Sequence, residues 1–572
     1  MILNALNNIK RAAIYVFFDK DGTVDEYVCK LLDSLHEVCH HIVVVVNGKI
    51  SKCGKFKLEK YADNLIFREN KGYDITAYIC GLNYLQKNFF NEYDEVVLLN
   101  STLYGPFFPI NKMFNEMALK DLDFWGLLKH YAAYDTSIAS SKYNYIPEYI
   151  QSYFMVLRRS LLYSKDLEEY ISKLPEIKNY NDARGKFEIE FTKDISEKGY
   201  QYDAYLDMNK YKEYSSNFIM WLPYELILKG CPFLKQKSFN FGPELMLSTT
   251  QTQKAYDFIE KNTDYDTELI INNILRTQNI ADIKTMLQIN YSIPSKGVLT
   301  NTASKELRVA SLIDTRLDLP KLDALASTDI FLIVGRNTIL SDLKSKAKMI
   351  IQSDDPIEKI ICENLKAFTR DYDVLCILPN IREENFTPYY DGLFYKKNVL
   401  ENIADSADYV KNIVAKFSQV PKLGLLVSPP YYCGQHETIY PNGWDGCFEE
   451  VKKAANVCGI AVNLDLQKQP IVAYGSALWA RPKALASLEG KEIYNQISKE
   501  AFERLYAFSA QNEGYLSGYV MTDRNAAQIL TSLEYMAKRY GALQNYFLRC
   551  KRKLKKILPS KLIGKILNIV GK

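Results

Sequence analysis

Eleven cysteines are present, yet none is spaced Cys-x-x-Cys. An odd, scattered set of this kind argues against a zinc site and a disulfide framework, and favours a reducing compartment. Only five histidines occur in 572 residues, too dispersed to form a metal cluster. The formal net charge is +4, which gives no global reason to expect a nucleic-acid partner. No run of about 18 apolar residues occurs, and the start lacks a basic stretch followed by a long apolar run and a cleavage site. The expectation is a cytoplasmic protein that neither spans a membrane nor is exported.

What is present is an ordinary soluble composition, 47% hydrophobic and 24% charged. The chain is too long for one core, so two large domains are expected. Tyrosine is abundant, with 42 copies. Tyrosine faces suit stacking on sugars, although most such rings pack in cores with a hydroxyl partner.

Apolar runs alternate with helical patterns up to about residue 245, with strands at 14–18, 42–46 and 95–99 and helices at 25–38 and 75–85. This predicts a mostly parallel, doubly wound α/β sheet over 1–245. Residues 246–305 turn helical and read as a connector. A second α/β domain is expected over 306–545, with strands at 308–313, 330–334, 349–351, 374–378 and 423–427. Its SDDPIEKIICENL followed by YDVLCILPN echoes KGYDITAYICGL followed by YDEVVLLN, which suggests an internal duplication with a degenerate second copy.

Candidate site residues follow from strand ends. The apolar strand before Asn100, Ser101 and Thr102 places small polar groups where an α/β sheet presents its ligand-facing carboxyl edge. Upstream, Asn70, Gly72, Tyr73 and Asp74 form a polar turn opening a helix, suited to meeting a nucleotide with backbone amides and one carboxylate.

These stretches, together with IYVFFDKDGTVDEYV, IVVVVNGK, DFWGLLKH, IPEYIQSYFMVLRRSLL, FEIEFTKDISEKGY, CPFLKQKSF, YGSALWARPKAL and AQNEGYLSGYVMTD, run in an order similar to that of the rhamnan synthesis protein F family of bacterial polysaccharide glycosyltransferases. The resemblance covers most of the chain. It implies a GT-A-like nucleotide-diphospho-sugar transferase domain, and transfer of a deoxyhexose, L-rhamnose from dTDP-L-rhamnose, to a lipid-linked glycan by inverting displacement. In this reading Asp19, Asp21, Asn70, Gly72, Tyr73, Asp74, Asn100, Ser101, Thr102, Lys235 and Lys237 bind the donor. His130, Gln151, Ser152 and Tyr153 lie on the acceptor side.

Glu188 matches the family's Tyr-Glu-Val-x-Leu-Thr position and is the expected catalytic base. Glu190 falls on a variable position. Many GT-A enzymes hold magnesium or manganese on an Asp-x-Asp, which is absent here, and Ser101 stands where the family tends to carry an acid. A hydroxyl is a poor sole ligand for magnesium. The diphosphate would then be neutralised by Lys235, Lys237, Arg158 and Arg159, or this copy is impaired. A non-catalytic glycan-binding or scaffold subunit is therefore the alternative. VFFDKDGTVDEY also reads as the first motif of haloacid-dehalogenase-like phosphatases, with Asp19 as nucleophile, Asp21 as acid, and Asp354 and Asp355 far downstream as magnesium ligands.

Residues 546–572 carry nine Lys or Arg and no acid. Leu554, Leu558, Leu562, Ile566 and Val570 recur every four residues, with Pro559 interrupting. A peripheral membrane-surface foot on anionic lipid is expected. A solvated basic tail is the bland alternative.

Overall fold

The computed structural model describes residues 9–89, 91–134, 141–143, 145–215, 217–239, 250–299, 306–316, 322–336, 338, 345, 347–381, 391–431, 443–538 and 541. The basic tail at 546–572 lies outside them. The chain divides into two compact units, Met1–Ile274 with Thr285–Gln288, and Leu275–Lys284 with Ile289–Lys572. The helical stretch at 246–305, with helices Gln251–Asn262, Glu268–Thr277 and Ile280–Met286, is shared between them.

The first unit is built on seven strands: β1 (Arg11–Phe17), β2 (His41–Asn47), β3 (Asn64–Arg68), β4 (Glu95–Asn100), β5 (Phe124–Gly126), β6 (Phe154–Arg158) and β7 (Tyr202–Ala204). They lie in the order β3-β2-β1-β4-β6-β5-β7. All pairings are parallel except those of β6, which runs antiparallel to both β4 and β5. Every residue of β1, β2 and β4 is buried, as expected of central strands covered on both faces by helices. The β-branched run Ile42 to Val46 suits that pleated, fully packed position. α1 (Glu26–Leu35) follows β1, and α2 (Tyr73–Asn88) follows β3.

β1 begins three residues before its expected start because Arg11 is held inside. Its Nε donates to Glu95 at 2.6 Å, and the other Glu95 oxygen accepts from Arg158 Nε at 3.0 Å and Trp125 Nε1 at 3.3 Å. Glu95 and Arg158 are 1% and 0% exposed. Arg158 also donates to the carbonyls of Met117 and Lys120, and Arg159 bonds Asp94. Both arginines therefore sit at the amino end of β4, opposite the edge where a diphosphate was expected, and they are structural. Removing one partner of a buried ionic network leaves uncompensated charge. Glu95→Ala should destabilise the first unit by about 3–5 kcal/mol, read as a lower urea midpoint.

The second unit carries eight strands: β8 (Asn290–Ile293), β9 (Val309–Asp314), β10 (Asp329–Val334), β11 (Met349–Gln352), β12 (Val374–Leu378), β13 (Leu423–Val427), β14 (Leu478–Ala480) and β15 (Leu516–Thr522). Their order is β11-β10-β9-β12-β14-β13-β15-β8. Here β14 alone is antiparallel, to both β12 and β13. Setting β8 aside, the two sheets correspond strand for strand, from β1 with β9 to β7 with β15, in order and in direction. α4 (Ile357–Asp371) precedes β12, and α5 (Lys499–Asn512) precedes β15; α3 (Glu190–Ser196) precedes β7. The weak echo between KGYDITAYICGL and SDDPIEKIICENL thus falls on corresponding helices, α2 and α4.

Candidate active site

At the carboxyl edge of the first sheet, β2 and β4 each end in a buried asparagine. Asn47 donates to Asn70 Oδ1 at 2.7 Å and to the Tyr73 carbonyl at 3.4 Å. Arg68 reaches Asn47, the Lys71 carbonyl and Thr76 Oγ1, and so ties the β3-to-α2 turn to β2. The turn demands glycine at position 72, where φ is 75° and an added Cβ would stand 2.4 Å from Thr76 Cγ2. Tyr73 follows at φ 56° and is 39% exposed. This geometry delivers Asp74 in the first turn of α2, where Asn100 Nδ2 donates to its Oδ2 at 2.6 Å.

Asn100 also accepts from the Thr102 amide at 3.2 Å and hydroxyl at 2.6 Å. Ser101 does something else: its hydroxyl accepts from the Phe18 amide at 3.2 Å and lies 3.3 Å from the Phe18 carbonyl. That hydroxyl is a buried tie between the ends of β1 and β4. Asn100, Ser101 and Thr102 are neutral and already bonded, so this strand end does not fit a divalent cation.

Asp19 Oδ1 accepts from the amides of Asp21 and Thr23 at 2.9 and 3.0 Å. It shapes the loop after β1, and Asp21 is exposed beside Lys20. Asp354 and Asp355 belong to the other unit. The loop leaves Phe18 46% exposed at the end of β1.

Glu188 sits on a π-helical turn, Arg184–Ile189, that runs into α3. Such turns displace side chains out of helical register and are frequent at functional positions. Ser152, just ahead of β6, donates its amide at 3.0 Å and its hydroxyl at 3.1 Å to Glu188 Oε1. Tyr78 fixes the same loop through the Ser152 carbonyl at 3.1 Å. Oε2 of Glu188 has no hydrogen-bond partner among the described residues. Glu190, by contrast, caps a loop by accepting from Ser141 Oγ and the Lys142 amide at 3.1 and 2.7 Å.

Lys235 comes from a two-residue strand paired antiparallel with Leu103–Tyr104, the strand just after β4. Its ammonium lies 4.4 Å from the Tyr153 ring centre. Burial pulls its pKa down to about 8, with Lys237 and Arg184 adding to the fall and the Glu188 and Asp74 carboxylates opposing it. Burial raises the Asp74 pKa, partly offset by Lys235. These charges share one edge. Lys237 lies 4.7 Å over the Tyr180 ring, and Tyr180 meets Tyr73 edge-on at 6.3 Å.

Three residues expected on the acceptor side are buried. Tyr153 is 1% exposed, bonds Gln151 Oε1 at 2.8 Å and underlies Lys235. Gln151 is buried and reaches Asn217 at 3.4 Å. His130, 3% exposed, stacks on Tyr149 at 4.8 Å. Burial and the nearby Arg184 cation lower its pKa to about 4, so the ring is neutral at pH 7. Sequence reasoning missed Asn47, Arg68, Tyr180 and Arg184. Asn47 ends an apolar strand as Asn100 does, a signal the sequence did carry.

A nucleoside diphosphate leaving group calls for cations, and an incoming hydroxyl calls for a carboxylate able to take its proton. Both kinds of group converge on this edge of the first α/β unit, an arrangement suited to a glycosyltransferase. Residues 42–515 match the family model of rhamnan synthesis protein F, and the chain belongs to that family. No curated protein matches the chain. Among solved structures, a cytidylyltransferase from Leptospira borgpetersenii is similar at 12% identity and TM-score 0.22, over 35% of this chain and 76% of that one. A mannosyltransferase from Pyrobaculum calidifontis, in complex with GDP-Man and Mn2+, is similar at 13% identity and TM-score 0.23, over 35% and 55%. The mannosyltransferase Ktr4p from S. cerevisiae is similar at 11% identity and TM-score 0.21, over 30% and 64%.

Proposed function

We propose that the first unit transfers a deoxyhexose, L-rhamnose from dTDP-L-rhamnose, to a hydroxyl of a lipid-linked cell-surface glycan with inversion. The observation that carries this reading is Glu188, fixed by Ser152 at the edge where Lys235 supplies positive charge. Glu188 Oε2 takes the acceptor proton as the hydroxyl oxygen bonds C1 and the C1–O bond to the diphosphate breaks. Lys235 and Lys237 neutralise the departing diphosphate. Asp74, oriented by Asn100, meets the ribose side, and Asn70, Gly72 and the Tyr73 ring border the nucleoside. Phe18 offers the base a face. Ser152 positions the base and does not bind acceptor.

A turnover assay decides between this and a non-catalytic glycan-binding subunit. Free dTDP should accumulate from dTDP-L-rhamnose only when acceptor is present. Glycan binding with no nucleotide released from any nucleotide-sugar donor would establish the scaffold reading instead.

No helix among the described residues is long and apolar enough to cross a membrane. A lipid-linked acceptor nevertheless requires a membrane surface, and we assign that contact to 546–572. Each cation near an anionic surface contributes roughly 1 kcal/mol at low salt. A chain truncated after Gln544 should keep its fold but lose flotation with anionic liposomes, and high salt should weaken binding of the full chain. Equal flotation of the truncated chain would remove the tail from this role.

A further inference from the structure

The strand-for-strand correspondence of the two units extends to side chains. Asp74 is the second residue of α2, and Glu358 is the second residue of α4, the matching helix. Asn100 ends β4, and Asn380 stands two residues beyond β12. Ser152 lies two residues ahead of antiparallel β6, and Ser476 two residues ahead of antiparallel β14. Glu188 lies in the helical segment before β7 and Glu503 in α5 before β15. A cation precedes each by one turn, Arg184 in the first unit and Lys499 in the second.

The contacts correspond too. In the first unit the loop before the antiparallel strand donates a backbone amide and a hydroxyl to Glu188. In the second, the Gly475 amide donates to Glu503 Oε1 at 2.7 Å and Ser476 Oγ donates to Glu358 Oε1 at 2.7 Å. The loop that holds the base in one unit therefore holds both carboxylates in the other. Gly475 has φ 67°, and an added Cβ would stand 2.7 Å from Ile381 Cγ1, so the backbone passes close beside the residue following Asn380. The Asn380 amide nitrogen is buried with no hydrogen-bond partner among the described residues. An orphaned buried donor needs an acceptor, and its counterpart Asn100 bonds the site carboxylate.

Two carboxylates stand in this interior, each tied to the loop ahead of β14. Glu358 and Glu503 are 7% and 8% exposed, and burying charge is costly without compensation. Burial raises the Glu503 pKa to about 7, with Lys499 and Arg504 opposing and Glu358 adding to the rise. A general base is most effective with a pKa near the working pH.

We propose that the second unit holds a second glycosyl-transfer site, in which Glu503 occupies the role of Glu188. The carboxylate of Glu503 takes the proton of a glycan hydroxyl, the hydroxyl oxygen bonds C1 of a nucleoside-diphospho-sugar, and the nucleoside diphosphate leaves with the electrons of the broken C1–O bond. Glu358 and Asn380 stand on the donor side, as Asp74 and Asn100 do. The proposal rests on the reading of the first unit, so its test must separate the two.

The full chain is assayed with dTDP-L-rhamnose and a panel of other nucleotide sugars, with products resolved by mass and linkage. Glu503→Gln should lower one linkage about 100-fold and leave the other, while Glu188→Gln should do the reverse. Loss of all transfer in Glu188→Gln, with no change in products or rates in Glu503→Gln, overturns the second site and leaves the first. Unchanged transfer in Glu188→Gln overturns the first. Because Glu503 is buried, the exposed Lys499→Ala provides a second variant, expected to weaken only the Glu503-dependent linkage. Calorimetric titration adds a readout independent of turnover: with the nucleoside diphosphates of the donors used, two equivalents in all per chain, falling to one in Lys235→Ala. One equivalent that vanishes in Lys235→Ala, or none in the unsubstituted chain, overturns the proposal.

Discussion

Replacing Glu188 by Gln should reduce turnover at the first site by about 100-fold or more while leaving donor affinity nearly unchanged. Glutamine preserves the volume and can still accept from the Ser152 amide and hydroxyl, which lie 3.0 and 3.1 Å from Glu188 Oε1. What disappears is the ability to take a proton. A loss confined to kcat therefore identifies a group acting in the transition state, whereas a matching rise in KM would show that Glu188 only shapes the pocket. Glu190→Gln is the internal control, because Glu190 is engaged with Ser141 and Lys142 and faces a different loop; its turnover should change little. Ser152→Ala removes one of two donors to Glu188 and keeps the amide, so a several-fold fall in kcat restored by Ser152→Thr is expected of a positioning residue. Chelators should reduce activity only modestly. Full activity in Glu188→Gln would remove it from the site, and complete loss with a chelator would point to a metal held by other carboxylates.

Strand ends explain most of what was legible in the sequence. A buried parallel strand is a run of apolar residues, and the first polar residue after it marks the carboxyl edge, which located Asn100 and would equally have located Asn47. Gly72 was legible for a similar reason, since a glycine between polar residues ahead of a helix signals a turn that a side chain would obstruct. Direction and depth are what the sequence does not carry. Arg158 follows the hydrophobic run of β6, but β6 is antiparallel, so its end lies at the amino edge of β4 beside Glu95. A strand's sense is not written in its composition. Tyr153 and His130 sit in family-like motifs that suggest the site, yet both are buried supports, because an aromatic ring can serve a site from beneath it. Glu188 is singled out by the resemblance alone: the π-helical turn that carries it has no sequence signature, and neither does the hydrogen bond from Ser152, a contact across 36 residues. The echo between the two halves was faint at the level of residues because only the positions closest to the sheet edge repeat, while the strand order repeats in full.

Raising the pH should weaken donor binding at the first site well before any unfolding. The Lys235 ammonium is desolvated, and its pKa is pulled down to about 8 despite the opposing Glu188 and Asp74 charges. The protonated form is the one that attracts a diphosphate, so affinity is full below pH 8 and falls as the pH passes through and beyond that value. In kcat/KM, which reports the free enzyme, the alkaline limb should appear near pH 8. In kcat it should move higher, because a bound diphosphate beside the ammonium favours its charged form and raises its pKa. Lys235→Arg retains a cation whose own pKa lies far above this range, and should abolish the limb near pH 8 even where altered geometry lowers the plateau. Lys235→Ala should weaken donor binding about 10- to 100-fold at pH 7, the range expected from losing a charge-assisted contact of about 1.5–3 kcal/mol. At pH 10 the same substitution should matter much less, since the lysine it replaces is then largely uncharged. An alkaline limb that survives unchanged in Lys235→Arg would assign the titration to another group and take Lys235 away from the diphosphate.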